Sequence, residues 1–134
     1  MFYSSYSNSN RGVAILFKNS IEFEVLQEIK DKSGNFILLE QRIACEVIYG
    51  PNRHDPSFYE NVQRKIELID NTSVLIGGDW NIPLIFDLDT ENYKNENNPK
   101  ARDRLHGMII DLDLIGIWRS LNPDVRRFTW REPG

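Results

Sequence analysis

Asp79 and Asn81 stand two residues apart in VLIGGDWN, Val74 to Asn81, directly after an apolar run and two glycines. A carboxylate can accept a proton from water or orient water for attack, and a neighbouring amide can donate a hydrogen bond to a phosphate oxygen. Hard oxygen ligands of this kind also suit Mg²⁺, which takes few protein ligands and keeps its waters. If strand geometry continues through them, the two side chains point the same way. Gly77 and Gly78 let the backbone turn and let another group approach closely. The competing reading is a plain strand-to-loop corner, where Asp and Asn cap backbone amides.

A second stretch, VIYGPN (Val47 to Asn52), ends another apolar run with Tyr49, a Gly-Pro turn and Asn52. A tyrosine at a strand end can be core filler with its hydroxyl at the surface. Two neighbouring strands ending in Tyr and in Asp-x-Asn at one edge would instead make a polar rim, where sites on layered α/β folds lie. Near that rim His54 could face a phosphate, although a lone loop histidine is ordinarily just solvated. His106 falls among polar neighbours on an expected helix. Asp87 and Asp89 have alternating spacing that could bind a cation or could belong to an acidic surface loop. Trp80, Trp118 and Trp130 read as packing residues, with Trp80 beside Asp79 able to touch a base or sugar.

The elements that must position these residues follow from periodicity. GVAILFK (Gly12–Lys18) reads as a buried strand, and EFEVLQEIKD (Glu22–Asp31) alternates like a second. KSGN supplies a turn, with Gly34 and Asn35 suited to positive φ. FILLEQ and ACEVIY complete a meander of antiparallel strands. Asp55 then reads as an N-cap with Pro56 at the first helical position. Phe58, Val62, Ile66 and Ile69 form one apolar stripe of a helix running to about Asp70. The strand ending at Gly77-Gly78 follows, with Leu75 a core residue if that strand is central. Residues 82–98 read as a long surface loop. Asn98-Pro99 repeats the cap-then-proline signal before a helix with Leu105, Met108, Ile109 and Leu112 on one stripe. LIGIWRSLNP reads as a short helix or turn, and RFTWRE as a final strand. The whole is a mixed α/β layered domain.

Composition bounds the class. A chain of 134 residues with 40% hydrophobic and 11% aromatic residues is globular rather than disordered, and of a length for one domain. Its apolar runs are too short to span a bilayer, and the N-terminus lacks the basic segment and apolar run of a secretory signal. An intracellular location is the expectation. A single cysteine, Cys45, excludes an intramolecular disulfide. The net charge of −4 argues mildly against binding nucleic acid by charge alone. The charge is uneven: residues 1–99 carry 9 Lys/Arg against 15 Asp/Glu, whereas residues 100–134 carry 7 against 5. That basic C-terminal segment could touch phosphates or be a solvated face.

VIYGPN, an amphipathic helix and VLIGGDWN, in that order, resemble the core of the endonuclease/exonuclease/phosphatase family, the fold of DNase I and apurinic endonucleases. RGVAILF upstream and DLDLIGIWRSLNPDVRRFTW downstream narrow the resemblance to the endonuclease domain of non-LTR (LINE-type) retrotransposon proteins. It covers nearly the whole chain. It implies a DNase I-like layered β-sandwich with outer helices, and Mg²⁺-dependent cleavage of DNA phosphodiesters in the nucleus. It assigns Asp79 to the attacking water, Asn81 to a phosphate oxygen, Tyr49 to the scissile phosphate, and supporting roles to Asn52 and Thr129.

The departures bear on that expectation. The family's metal-binding glutamate lies on strands before the GVAIL strand, and its closing Asp and Ser-Asp-His lie beyond the FTW strand. Neither has a counterpart in these 134 residues. The expectation is therefore a partial domain over residues 1–134, with its metal ligand set unknown, its catalytic set incomplete and its sheet edges bare. Two alternatives stay open. One is a non-catalytic fragment or interaction module, completed by a partner chain over those edges. The other is a phosphatase acting on a small phosphoester or lipid phosphate.

Overall fold

A computed structural model describes residues 1–6, 12–22, 24–40, 43–69, 73–93, 98–128 and 130–131. They form two compact units, Met1–Gly50 with Ile66–Trp80, and Pro51–Lys65 with Asn81–Gly134. Mixed α/β structure is observed, with three sheets and four helices among the described residues.

The first unit is built on a four-stranded sheet of β3 (Gln27–Lys30), β4 (Phe36–Glu40), β5 (Ile43–Tyr49) and β6 (Ser73–Asp79), in that spatial order. β3, β4 and β5 are antiparallel, as the meander predicts, and β6 runs parallel to β5. A parallel neighbour needs a crossover, which the amphipathic helix between them supplies. One sheet face buries Ile37 and Leu39 with Val13 and Ile15 of β2 (Gly12–Ile15). Cys45, Val47 and Tyr49 of β5 pack on the same cluster, as do Phe2, Phe17 and Val25. On the other face Phe36, Leu38, Ala44 and Ile48 are all at most 1% exposed. Phe36, Leu38 and Ile48 each contribute about 1.5–3 kcal/mol by leaving water.

β1 (Phe2–Ser5) was not expected within the Ser/Asn-rich start, yet it pairs antiparallel with β2. Its buried Ser4 gives the reason: the hydroxyl donates to the backbone carbonyl of Asp31 at 2.9 Å, so a polar residue fits an inward position. The expected strand Glu22–Asp31 shrinks to Gln27–Lys30, an edge strand with one half-buried residue, Ile29. At the KSGN turn Gly34 takes positive φ (69°) and Asn35 does not. Leu75 is 53% exposed, on β6, which is an edge strand among the described residues.

The second unit contains most of α1 (Pro56–Glu67), together with α2 (Phe86–Asp89), β7 (Thr90–Glu91), α3 (Pro99–Asp111), α4 (Ile117–Leu121) and β8 (Trp130–Arg131). Asp55 does cap α1: its Oδ1 accepts the backbone N–H of Phe58 at 3.3 Å and the Ser57 hydroxyl at 2.6 Å. Along α1, Tyr59, Val62 and Ile66 are buried, so Tyr59 rather than Phe58 leads the stripe. On α3 Ala101, Leu105 and Met108 are buried, with Ile109 and Leu112 half-buried. Asn98 precedes Pro99 as expected but makes no side-chain cap. Gln63, buried on α1, donates to Asp111 at 3.2 Å and accepts from Arg104 at 2.5 Å, tying α1 to α3.

The expected loop over 82–98 contains α2 and β7 in its described part. Four residues are too few to show helical periodicity. What holds α2 is local: Asp89 Oδ2 accepts the Ile85 N–H at 2.8 Å, and Thr90 Oγ1 donates to the Phe86 carbonyl at 2.7 Å. The final strand is the two-residue β8, parallel to β7. No helix among the described residues is long and apolar enough to cross a membrane.

Candidate active site

Tyr49 and Asp79 are Cα partners at the ends of the parallel strands β5 and β6. The pairing persists into the corner, where the Gly50 N–H donates to the Asp79 carbonyl at 2.6 Å. Directly paired residues share a face of a sheet. That face is the one on which Cys45, Val47 and Tyr49 meet the β2 cluster. Tyr49 is half-buried there, and Asp79 is exposed. The sheet thus presents a phenol and a carboxylate side by side, one anchored in the core and the other open to water.

The two glycines before Asp79 are not equivalent. Gly78 has φ 133°, and a Cβ on it would stand within 2.8 Å of the Ile48 backbone nitrogen and closer still to its carbonyl oxygen. A Cβ on Gly77 would meet nothing within 4 Å. The close approach expected for both is therefore the work of Gly78, which seats the end of β6 against β5 and so sets the Tyr49–Asp79 register.

Strand geometry stops at Asp79. Asn81 is buried, 7% exposed, with φ 53°, so the alternation that would align its side chain with Asp79 does not hold. Asn81 begins the second unit, which also holds Asn52, exposed in the loop before α1. Thr129 lies outside the described residues.

One neighbour escaped the sequence reading. Asn35 precedes β4 directly opposite Tyr49, whose N–H donates to the Asn35 carbonyl at 2.8 Å. Asn35, Tyr49 and Asp79 therefore form one row across three strands. The Asn35 side-chain oxygen is buried with no hydrogen-bond partner among the described residues. Its position in a Ser-Gly-Asn turn reads as turn chemistry, and only strand register places it in the row.

Among the other candidates, His106 and Asp89 have structural occupations. His106 Nε2 lies 2.8 Å from the Leu84 carbonyl, to which it donates as the N–H tautomer. Asp89 accepts from Arg119 and from the Ile85 N–H, while Asp87 is exposed. His54 is exposed in its loop. Trp118 is 44% exposed, with the Arg119 guanidinium 4.9 Å from its ring centre, so it is not the packing residue expected.

No protein-family profile matches the chain. A comparison with curated proteins finds similarity to the Xenopus laevis protein described as transposon TX1 uncharacterized 149 kDa protein, at 29% identity over 142 aligned positions. The alignment covers 97% of this chain and 10% of that protein.

Proposed function

We propose that this chain carries part of the phosphodiester-cleaving centre of a LINE-type retrotransposon endonuclease, a DNase I-like domain that nicks DNA with Mg²⁺ as cofactor. The observation that carries the reading is the direct pairing of Tyr49 with Asp79 at one end of a parallel strand pair. Similarity along nearly the whole chain to a transposon protein supports the same origin.

In this reading Asp79, open to solvent, accepts the proton of a water attacking phosphorus. The new oxygen–phosphorus bond forms as the phosphorus bond to one sugar oxygen breaks, and that oxygen leaves with a proton from solvent. The Tyr49 hydroxyl donates to a non-bridging oxygen as charge develops there. Its ring is held in the core cluster, so the donor is placed before substrate arrives and costs little to reorganise. The resemblance gives Asn81 a further phosphate oxygen and gives Asn52 and Thr129 supporting roles, each open to test by substitution. Mg²⁺ belongs to the same proposal. No three His, Cys, Asp or Glu side chains gather to hold an ion among the described residues. Mg²⁺ keeps several of its waters and needs only one or two carboxylates, so it requires no such cluster, and the steps above run through the chain's own groups. Nicking of supercoiled plasmid by wild type and by Asp79→Ala tests the reading.

A second reading, a non-catalytic interaction module, has one observation in its favour. β6 is an edge strand among the described residues and leaves Leu75 exposed, which suits pairing with a strand of another chain. Nicking of plasmid by the isolated chain that is lost in Asp79→Ala would contradict this non-catalytic reading.

A further inference from the structure

The segment that follows α4 carries positive charge without a counter-ion among the described residues. Arg53, Arg64, Arg102, Arg104 and Arg119 each pair with a carboxylate. Arg126 and Arg127 are exposed and form no ion pair among the described residues, not even with Asp124 in the same segment. The Arg126 guanidinium lies 5.3 Å from the centre of the Phe128 ring, within cation–π range.

The segment is also braced. Arg119 Nη1 donates to the carbonyls of Val125 at 2.8 Å, Asn122 at 3.2 Å and Pro123 at 3.5 Å. Its Nη2 donates to Asp89. The Arg127 N–H donates to the Leu88 carbonyl at 3.1 Å. A charged pair on a backbone fixed in this way loses little freedom when it meets an anion. Planar guanidinium forks match phosphate oxygens, and an aromatic beside them adds a surface for a sugar or base.

We propose that Arg126 and Arg127, with Phe128, form a contact for the phosphate backbone of DNA, presented by the Arg119 brace. The choice of DNA over another polyanion rests on the phosphodiesterase reading. A contact of this kind positions the duplex without reading its sequence, and it releases counter-ions.

Fluorescence anisotropy of the chain with a labelled duplex of about 20 base pairs, between about 50 and 200 mM salt, tests it. In R126Q/R127Q the slope of log affinity against log salt should shrink by about 2, near 0.9 per phosphate contact, while R126K/R127K keeps the wild-type slope. An unchanged slope in R126Q/R127Q overturns the proposal, as does a wild-type chain with no salt-dependent binding. Polyglutamate bound as tightly as DNA, with the same loss in the variant, would mark an acidic-partner surface and overturn it too. Nicking by the same preparations separates the two readings. The expected slope change without nicking keeps this contact and removes the catalytic reading. Nicking with an unchanged slope removes this contact alone.

Discussion

Gly78 packs against the backbone of Ile48 with no room for a side chain, and that contact holds the strand carrying Asp79 against the strand carrying Tyr49. A methyl group at Gly78 has to displace main chain, in a conformation that L residues avoid. Gly78→Ala should therefore cost at least about 2 kcal/mol. Gly77→Ala, with open space around it, should stay within about 0.5 kcal/mol. Urea unfolding of both variants checks the contrast, and equal losses would contradict it.

Core and edge strands should respond differently to truncation. Leu39→Ala, in a fully buried position on β4, should cost about 2–5 kcal/mol. Leu75→Ala, half-exposed on β6, should cost less than about 1 kcal/mol. The difference reads directly from denaturant midpoints at unchanged m-value.

The Asp55 cap makes a pH prediction. The Ser57 hydroxyl, and then the Phe58 N–H and Arg53, hold its carboxyl below the ordinary 3.8 despite partial burial that opposes them. A group whose pKa is depressed on folding contributes stability that is complete above its unfolded value and is lost as pH falls through its folded value. The cap's contribution should thus be intact above about pH 5 and disappear below the ordinary value. Asp55→Ala should remove about 1 kcal/mol at neutral pH and nothing in acid. Unfolding titrations of the two proteins should converge below about pH 3.

Arg119 joins α4, the following turn and Asp89 through one guanidinium, in a pair whose side chains are 19% and 15% exposed. Arg119→Ala leaves Asp89 without that partner and the carbonyls of Asn122, Pro123 and Val125 without their donor, a loss of about 1–3 kcal/mol. Hydrogen exchange should quicken at Arg127, whose N–H bond to Leu88 depends on the same brace. Unaltered exchange there would contradict the bracing role.

How legible this was depended on the length scale of each signal. Asp55-Pro56 is a local signal, and the cap is where it predicts. The strands β4 and β5 are apolar enough to read directly. Tyr49 and Asp79 were legible as strand ends, but their pairing is a matter of register, as is the arrival of Asn35 in the same row. Leu75 is a core residue only if its strand is central, and an apolar strand does not say whether another layer covers it. Phe86–Asp89 stayed hidden because one helical turn held by Asp89 and Thr90 has no period to detect. Asn81 was aligned with Asp79 on the assumption of continued strand geometry, which its positive φ ends.

In the proposed reaction Asp79, beside Tyr49, is the catalytic carboxylate. Nicking of supercoiled plasmid with Mg²⁺, beside EDTA and Asp79→Ala controls, tests it most directly. The expected result is nicking that EDTA abolishes and that Asp79→Ala lowers by about 10²–10⁴-fold with folding unchanged. Nicking undiminished in Asp79→Ala, or none from a folded wild-type chain, would contradict it.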